Sequence, residues 1–367
     1  MVNRTRVDDR FGRILLVCTR QIGDVLLTTP LIHAAKERWP DARIDVLGFG
    51  GTLGMLRGNP DVAELIEVPA GSGWVASRRL IKRLWRRYDL ALIAQYSDRA
   101  HLYGFAASKR RAGQVTDEAK SWWKRALLEH AVCMNDDQSH SVLEKLRLLA
   151  PWVEPKSVRL VPPPALPLPV DVAAALVAPY VVLQVPAAVT YKQWPVAHWR
   201  ELVEALVARD LQVVLSGAPS PGDRALVAAV QSGFDVARVL DVAGRLDLNQ
   251  VGALLRGAVA YVGGDTSITH LAAAVDIPAI ALYGPINPRY FGPWPPSAPA
   301  GAPYANRGFV QRAGRVIVLQ GSMPCVPCDR AGCDDRNDSI SLCLLTMAPW
   351  RVVEQVDRIL ATGAEGQ

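Results

Sequence analysis

The chain has 367 residues, half of them hydrophobic, and a formal net charge of +6, so it can bury a large core and its length favours two domains over one. Nothing in the charged opening MVNRTRVDDRFGR or the short apolar run ILLVC suggests a secretory leader, and the most apolar stretch, residues 172–189, is broken by Pro179, Gln184 and Pro186, so no membrane span is expected. Residues 1–165 carry 26 Lys and Arg against 18 Asp and Glu, or +8, and residues 166–367 carry 15 against 17, or −2; an anionic partner should meet the first half, and a nucleic-acid recognition motif is lacking.

In chain order, RILLVCTR, RIDVLGF, ELIEV and DLALIAQY read as buried strands, and PLIHAAKERW and SRRLIKRLWRR between them have helical spacing. This alternation predicts a doubly wound α/β domain. In TRQIGDVLLTTP, residues 19–30, Asp24 stands between a strand and a helix, where an acid is either a cap or an active-site base. Thr29 followed by Pro30 offers another helix start, which would free Asp24 for chemistry. In RRLIKRLWRR, residues 78–87, Leu80, Ile81, Leu84 and Trp85 share one helical face and six basic residues cover the rest. That pattern fits a solvated helix, phosphate recognition or attraction to an anionic membrane.

VPPPALPLP, residues 161–169, cannot hold a helix or a central strand and reads as a linker. The alternation then restarts with YVVLQV, QVVLS, RVLDVAG, AVAYVGG and AIALYGP as strands, separated by helices through HWRELVEALVAR, DRALVAAVQ, NQVGALLRG and DTSITHLAAAVD. Asp247 and Gln250 make a capping box for the third of these helices. The tract GPWPPSAPAGAP, residues 292–303, reads as a loop. The expected domains are 1–165 and 166–346, with a C-terminal helix in 347–367 packing back on the first domain, and two α/β halves on a Pro-rich linker imply a cleft.

No G-x-x-x-x-G-K-[ST] loop is present, the first βα turn has no G-x-G-x-x-G, and GFGGTLG has Leu53 where a third glycine belongs. An NAD or ATP enzyme is therefore disfavoured. In GGDTSITH, residues 263–270, two glycines and a helix opening on Asp265, Thr266 and Ser267 could hold a diphosphate without a metal. The same residues are ordinary caps, and His270 could equally be a core histidine. Cys325, Cys328, Cys333 and Cys343 form C-x2-C-x4-C-x9-C, which allows a structural zinc site or reduced thiols.

The segments IGDVLLTTPLIHAAKERWPDARIDVL and VGGDTSITHLAAAVDIPAIALYGPINP resemble glycosyltransferase family 9, the bacterial ADP-heptose:lipopolysaccharide heptosyltransferases. NPDVAELIEV, YDLALIAQYSDRAHLYGFAASKRRAG, HSVLEKLRLL, YKQWPVAHW and VAGRLDLNQVGALL follow in the family's order, so the likeness runs from residue 13 to residue 295. The resemblance implies a GT-B fold of two Rossmann-like domains facing across a cleft, with acceptor on the first and nucleotide sugar on the second. It implies inverting transfer of heptose from ADP-heptose to a phosphorylated lipid A and core oligosaccharide, with no cofactor required. The enzyme would be cytoplasmic and peripheral at the anionic inner membrane. Asp24 matches the family's catalytic aspartate. The donor side would comprise Lys192, Asp223, Gly264, Asp265, Thr266, Ser267, Thr269 and His270, and the acceptor side Gly23, Arg83, Arg86, Arg87, Arg110, Arg111 and His140. Two features depart from the family: Ser267 stands where glycine is common, and the acceptor loops YSDRAHLYGFAASKRR and VTDEAKSWWKRALLEH match no one member closely. A transferase of another nucleotide sugar, a sugar-nucleotide epimerase and a noncatalytic binding protein are the alternatives.

Overall fold

The computed structural model describes residues 9–69, 74–116, 121–134, 139–155, 158–298 and 301–364. The chain divides into two compact units, Met1–Val161 and Pro162–Gln367, so the division falls where the Pro-rich run begins.

The first unit is built on a six-stranded sheet of β1 (Arg13–Val17), β2 (Arg43–Phe49), β3 (Glu64–Val68), β4 (Leu90–Ile93), β5 (Arg110–Val115) and β6 (His130–Cys133), in the order β3-β2-β1-β4-β5-β6. Every pairing is parallel. Helices cover such a sheet on both faces, which is why Ile14–Val17 and Leu90–Ile93 are continuous apolar runs buried at each position. Strand order reverses between β1 and β4, and in open α/β sheets a ligand binds at the carboxyl ends of the strands flanking that reversal.

The second unit repeats the plan with β7 (Tyr180–Gln184), β8 (Gln212–Ser216), β9 (Val239–Asp241), β10 (Ala260–Gly264), β11 (Ala279–Tyr283), β12 (Val310–Ala313) and β13 (Val316–Gln320), ordered β12-β13-β11-β10-β7-β8-β9. All pairs are parallel except β12 with β13, a hairpin turning at Gly314 with φ of +53°. Here the reversal lies between β7 and β10. The box expected at Asp247 is formed: its side chain accepts from the Gln250 amide, and the Gln250 side-chain oxygen accepts from the Asp247 amide.

Several expectations are corrected. The helix read through residues 78–87 ends at Leu84, because Arg86 adopts φ of +52°, and Trp85 is therefore 55% exposed rather than on the apolar face. The loop read at YSDRAHLYGFAASKRR contains the helix Asp98–Ala107 and the start of β5, and VTDEAKSWWKRALLEH contains the helix Trp122–Leu127, with residues 117–120 outside the described ones. Thr29 does not cap. Thr28 and Thr29 donate their hydroxyls to the carbonyls of Val25 and Leu26, turning the chain from the helix Ile22–Leu26 into the helix Thr29–Arg38. The C-terminal helix Trp350–Ala364, read as packing back on the first domain, lies within the second unit. Val352 and Val356 join the core around β7 and β8, and Arg209 holds Asp357 in a forked ion pair at 2.6 and 2.9 Å.

Candidate active site

In the first unit the chain leaves β1 at Val17 and enters the short helix Ile22–Leu26 through Thr19, Arg20 and Gln21. Gln95, just beyond β4, fixes this turn: its side-chain carbonyl accepts from the Thr19 amide at 2.7 Å and its amide group donates to the Thr19 hydroxyl at 2.6 Å and to Ser97 at 2.7 Å. The bonds tie the two strands at the topological reversal. Asp24 stands in the first helical turn, where the partial positive charge favours an acid. It is not the cap: that position is Gln21. Its Oδ2 accepts from Arg20 Nε at 3.1 Å, and Arg20 lies over the Tyr96 ring at 5.6 Å. No described residue donates a hydrogen bond to Oδ1, which leaves one carboxylate oxygen for an incoming hydroxyl. Arg20 and Gln95 were missed by sequence reasoning, although the four-residue spacing of Arg20 and Asp24 is a readable signal.

In the second unit Lys192 ends the 3-10 turn Thr190–Lys192 that follows β7, and Asp265 follows β10. Their Nζ and Oδ2 atoms lie 2.5 Å apart with Asp265 only 9% exposed. His270 Nε2 is 3.9 Å from Asp265 Oδ1, and the Tyr283 hydroxyl, which donates to the Phe291 carbonyl at 2.9 Å, lies 3.5 Å from that oxygen. Burial, with the Asp265 carboxylate beside it, pushes the Tyr283 phenol well above its ordinary range, so it remains a donor. Thr266 caps the helix Ser267–Ala274, accepting from the Thr269 amide, and the amides of Ser267 and Ile268 in its first turn have no intrahelical acceptor. The structure thus brings Lys192, Gly264, Asp265, Thr266, Ser267 and His270 together at one reversal.

Other predicted donor residues serve the loop itself. Thr269 is fully buried, receives the Tyr261 hydroxyl at 2.8 Å and donates to the Gly264 carbonyl, so its hydroxyl is not offered to a ligand. The two glycines make room for protein rather than ligand: a Cβ at Gly263 would strike the Tyr261 hydroxyl, and one at Gly264 would lie 3.1 Å from the Lys192 carbonyl. Asp223 caps the helix Pro221–Gln231 with Ser220, and its second oxygen accepts from the Ala218 amide at 3.0 Å.

The acceptor residues divide in the same way. Gly23 adjoins Asp24 in the helix Ile22–Leu26. Arg83 is paired with Glu64 on β3, and Arg110 forks between Asp9 at 2.6 Å and Glu129 at 2.7 Å while stacking on Phe11 and Trp152. His140 is fully buried and caps the helix Ser141–Leu146 by accepting from the Val142 amide at 3.2 Å. These three serve the fold. Arg111 donates to the Ser108 and Leu127 carbonyls, and it shares the Phe105 ring with Arg86. Arg86 and Arg87 remain exposed beside Trp85.

Among the described residues no group of three or more His, Cys, Asp or Glu is arranged to hold a metal ion. All six cysteines are free. Cys343 is buried beneath Gly284 and Gly321, Cys328 is half-buried, and Cys325 and Cys333 are exposed. Burial, with the three other thiols nearby, pushes the Cys343 thiol up to about 11.

Two doubly wound units, each with polar groups at its strand-order reversal, define a glycosyltransferase of the GT-B fold, as the comparisons show. Residues 77–302 match the model of glycosyltransferase family 9 (heptosyltransferase). Lipopolysaccharide heptosyltransferase 3 of Escherichia coli is 30% identical over 286 residues, covering 74% of this chain and 83% of that protein. Among solved structures, E. coli ADP-heptose lps heptosyltransferase II superposes with a TM-score of 0.71 at 21% identity, covering 96% of this chain and 99% of that one. E. coli heptosyltransferase WaaC with ADP gives 0.70 at 21% identity, covering 95% and 99%. The chain belongs to glycosyltransferase family 9.

Proposed function

We propose that this enzyme transfers a heptose, with inversion, from ADP-heptose to a phosphorylated lipopolysaccharide inner-core acceptor, with Asp24 as general base. The observation that carries the reading is the state of Asp24: it is spared from capping, steadied on one oxygen by Arg20, and open on the other. The acceptor hydroxyl gives its proton to Asp24 as its oxygen forms a bond to the anomeric carbon, and the bond from that carbon to the diphosphate breaks with its electron pair leaving on ADP. The second unit supplies what the departing diphosphate needs: the Lys192 ammonium and the unpaired amides of Ser267 and Ile268 at a helix N-terminus. These groups take the place of a divalent cation, so a chelator should leave transfer intact.

Membrane and acceptor contact are assigned to the exposed face bearing Trp85, Arg86 and Arg87, which suits a phosphorylated lipid at the cytoplasmic surface of the inner membrane. Among the described residues no helix is long and apolar enough to cross a membrane. The choice of ADP-heptose rests on the family and on the relatives named above. The test is Asp24→Asn, which keeps the side chain's shape but cannot accept the proton. Transfer should fall by at least about a hundredfold while ADP affinity, read by calorimetry, stays at the wild-type value. A near wild-type rate rejects Asp24 as base.

A further inference from the structure

The last backbone pair between β1 and β4 is Val17 with Ile93, and one further bond, from the Ala94 amide to the Val17 carbonyl, closes the ladder. From here the chains part. β1 leads on to β2 and β4 to β5, on opposite sides of the central pair, so right-handed connections carry the following segments to opposite faces of the sheet. A crevice opens at such a point. Among the described residues the backbone pairing of β1 with β4 thus stops before the turn that carries Asp24.

Side chains continue the ladder. Two residues past Val17 and Ile93, the Gln95 side-chain carbonyl accepts from the Thr19 amide at 2.7 Å, and its amide group donates to the Thr19 hydroxyl at 2.6 Å. One residue further on, Arg20 lies over the Tyr96 ring at 5.6 Å and donates to Asp24 Oδ2 at 3.1 Å. The other N–H of Gln95 goes to Ser97 at 2.7 Å, whose hydroxyl caps the helix Asp98–Ala107. Both donors of the amide are spent and its oxygen is engaged, with the residue only 2% exposed. The cap is complete without Gln95, and the two bonds to Thr19 serve the turn on the other strand.

We infer that Gln95 is a positioning residue for the Asp24 base: it clamps Thr19 across the reversal and so fixes the turn from which Arg20 aims the carboxylate at the acceptor hydroxyl. This rests on the assignment of Asp24 made above. The contacts of Gln95 are to Thr19 and Ser97, so it acts on the base through its neighbours. Proton transfer needs the carboxylate oxygen within hydrogen-bond reach of the hydroxyl, and a displacement of about 1 Å costs on the order of a hundredfold in rate. The proposed donor groups belong to the other unit, which makes donor affinity the internal control.

The test is kcat, with ADP-heptose and a heptose-deficient lipopolysaccharide acceptor both saturating, for full-length Gln95→Leu, Thr19→Val and Thr19→Ser. Gln95→Leu removes all three bonds of the amide. Well below its unfolding midpoint, its kcat should fall by about ten- to a hundredfold, with ADP affinity by calorimetry and the Michaelis constant for acceptor unchanged. Thr19→Val, which loses one bond, should lose less, and Thr19→Ser, which keeps the hydroxyl, should stay near the wild-type rate. Because Gln95 and Arg20 act in series on one carboxylate, the double variant Gln95→Leu/Arg20→Ala should be no slower than the slower single variant. A merely structural glutamine lowers the midpoint and leaves kcat of the folded enzyme at the wild-type value. That result, or losses that multiply in the double variant, overturns the inference. If Gln95→Leu does not fold, Thr19→Val decides, and a kcat equal to that of Thr19→Ser overturns it. Asp24→Asn separates the two readings: if it retains transfer, the base assignment fails and this inference with it, whereas if it is inactive and Gln95→Leu transfers at the wild-type rate, only the role of Gln95 is lost.

Discussion

Lys192 reaches Asp265 across 2.5 Å, and in the proposed donor site a diphosphate oxygen arriving at the amides of Ser267 and Ile268 would compete for the same ammonium. Lys192→Ala therefore removes one charge-assisted contact and leaves Asp265 facing the phosphates unneutralised. Loss of one charged hydrogen bond costs about 2 kcal/mol, so ADP affinity should fall roughly thirtyfold by calorimetry. Thr269, two residues into the helix from the amides, gives the opposite pattern. Its hydroxyl joins Tyr261 to the Gly264 carbonyl inside the protein, and Thr269→Val leaves those groups unpaired at a cost of about 1–3 kcal/mol in folding stability, read by denaturant titration. Its effect on ADP affinity should be the smaller of the two. Both residues are donor-site candidates, Lys192 from YKQWPVAHW and Thr269 from GGDTSITH, and burial tells them apart.

At the scale of elements, the capping box is a direct test of local coding. Asp247→Ala deletes the acceptor for the Gln250 amide at the start of the helix Leu248–Gly257 and should destabilise the chain by about 1 kcal/mol, measured by urea unfolding, with transfer unchanged. This box was legible because all its determinants lie within four residues. The inner strands were legible for a similar reason: β2, β8 and β11 are largely apolar runs bounded by polar or turn residues, and their limits follow the sequence pattern. β5 was not, since RRAGQV opens with two arginines that serve Glu129, Asp9 and nearby carbonyls, so its strand character comes from pairing with β4. The helix ending at Leu84 shows the same limit. Arginine twice over gives no stop signal, and the left-handed turn at Arg86 is set by tertiary context, its amide donating to the Ala106 carbonyl. Of the candidate site, Asp24, Lys192, Asp265 and Thr266 were chosen by motif, whereas Gln95, whose role depends on β1 and β4 coming together, carried no such signal.

For the whole molecule, the charge imbalance of +8 against −2 overstates the free positive charge of the first unit. Arg43, Arg83 and Arg110 are taken up in ion pairs with Asp45, Glu64, Asp9 and Glu129, while Arg86 and Arg87 are exposed. Reversing Arg86 and Arg87 to Glu should raise the Michaelis constant for acceptor and reduce sedimentation with anionic phosphatidylglycerol vesicles, with ADP affinity unchanged. Both effects should shrink with added salt, because exposed charges are screened beyond about 8 Å at physiological ionic strength; equal behaviour of variant and wild type would remove this face from the acceptor account. The sheet boundaries carry a further consequence. The outer strands β3, β6, β9 and β12 have five, four, three and four residues, and β3 carries Glu64 and Glu67 while β12 carries Arg312. Strand ends so brief and charged are poor templates for another chain to extend. Any self-association of this enzyme is thereby directed to side-chain surfaces, where it can be reversible, and away from backbone pairing, which would propagate from one copy to the next.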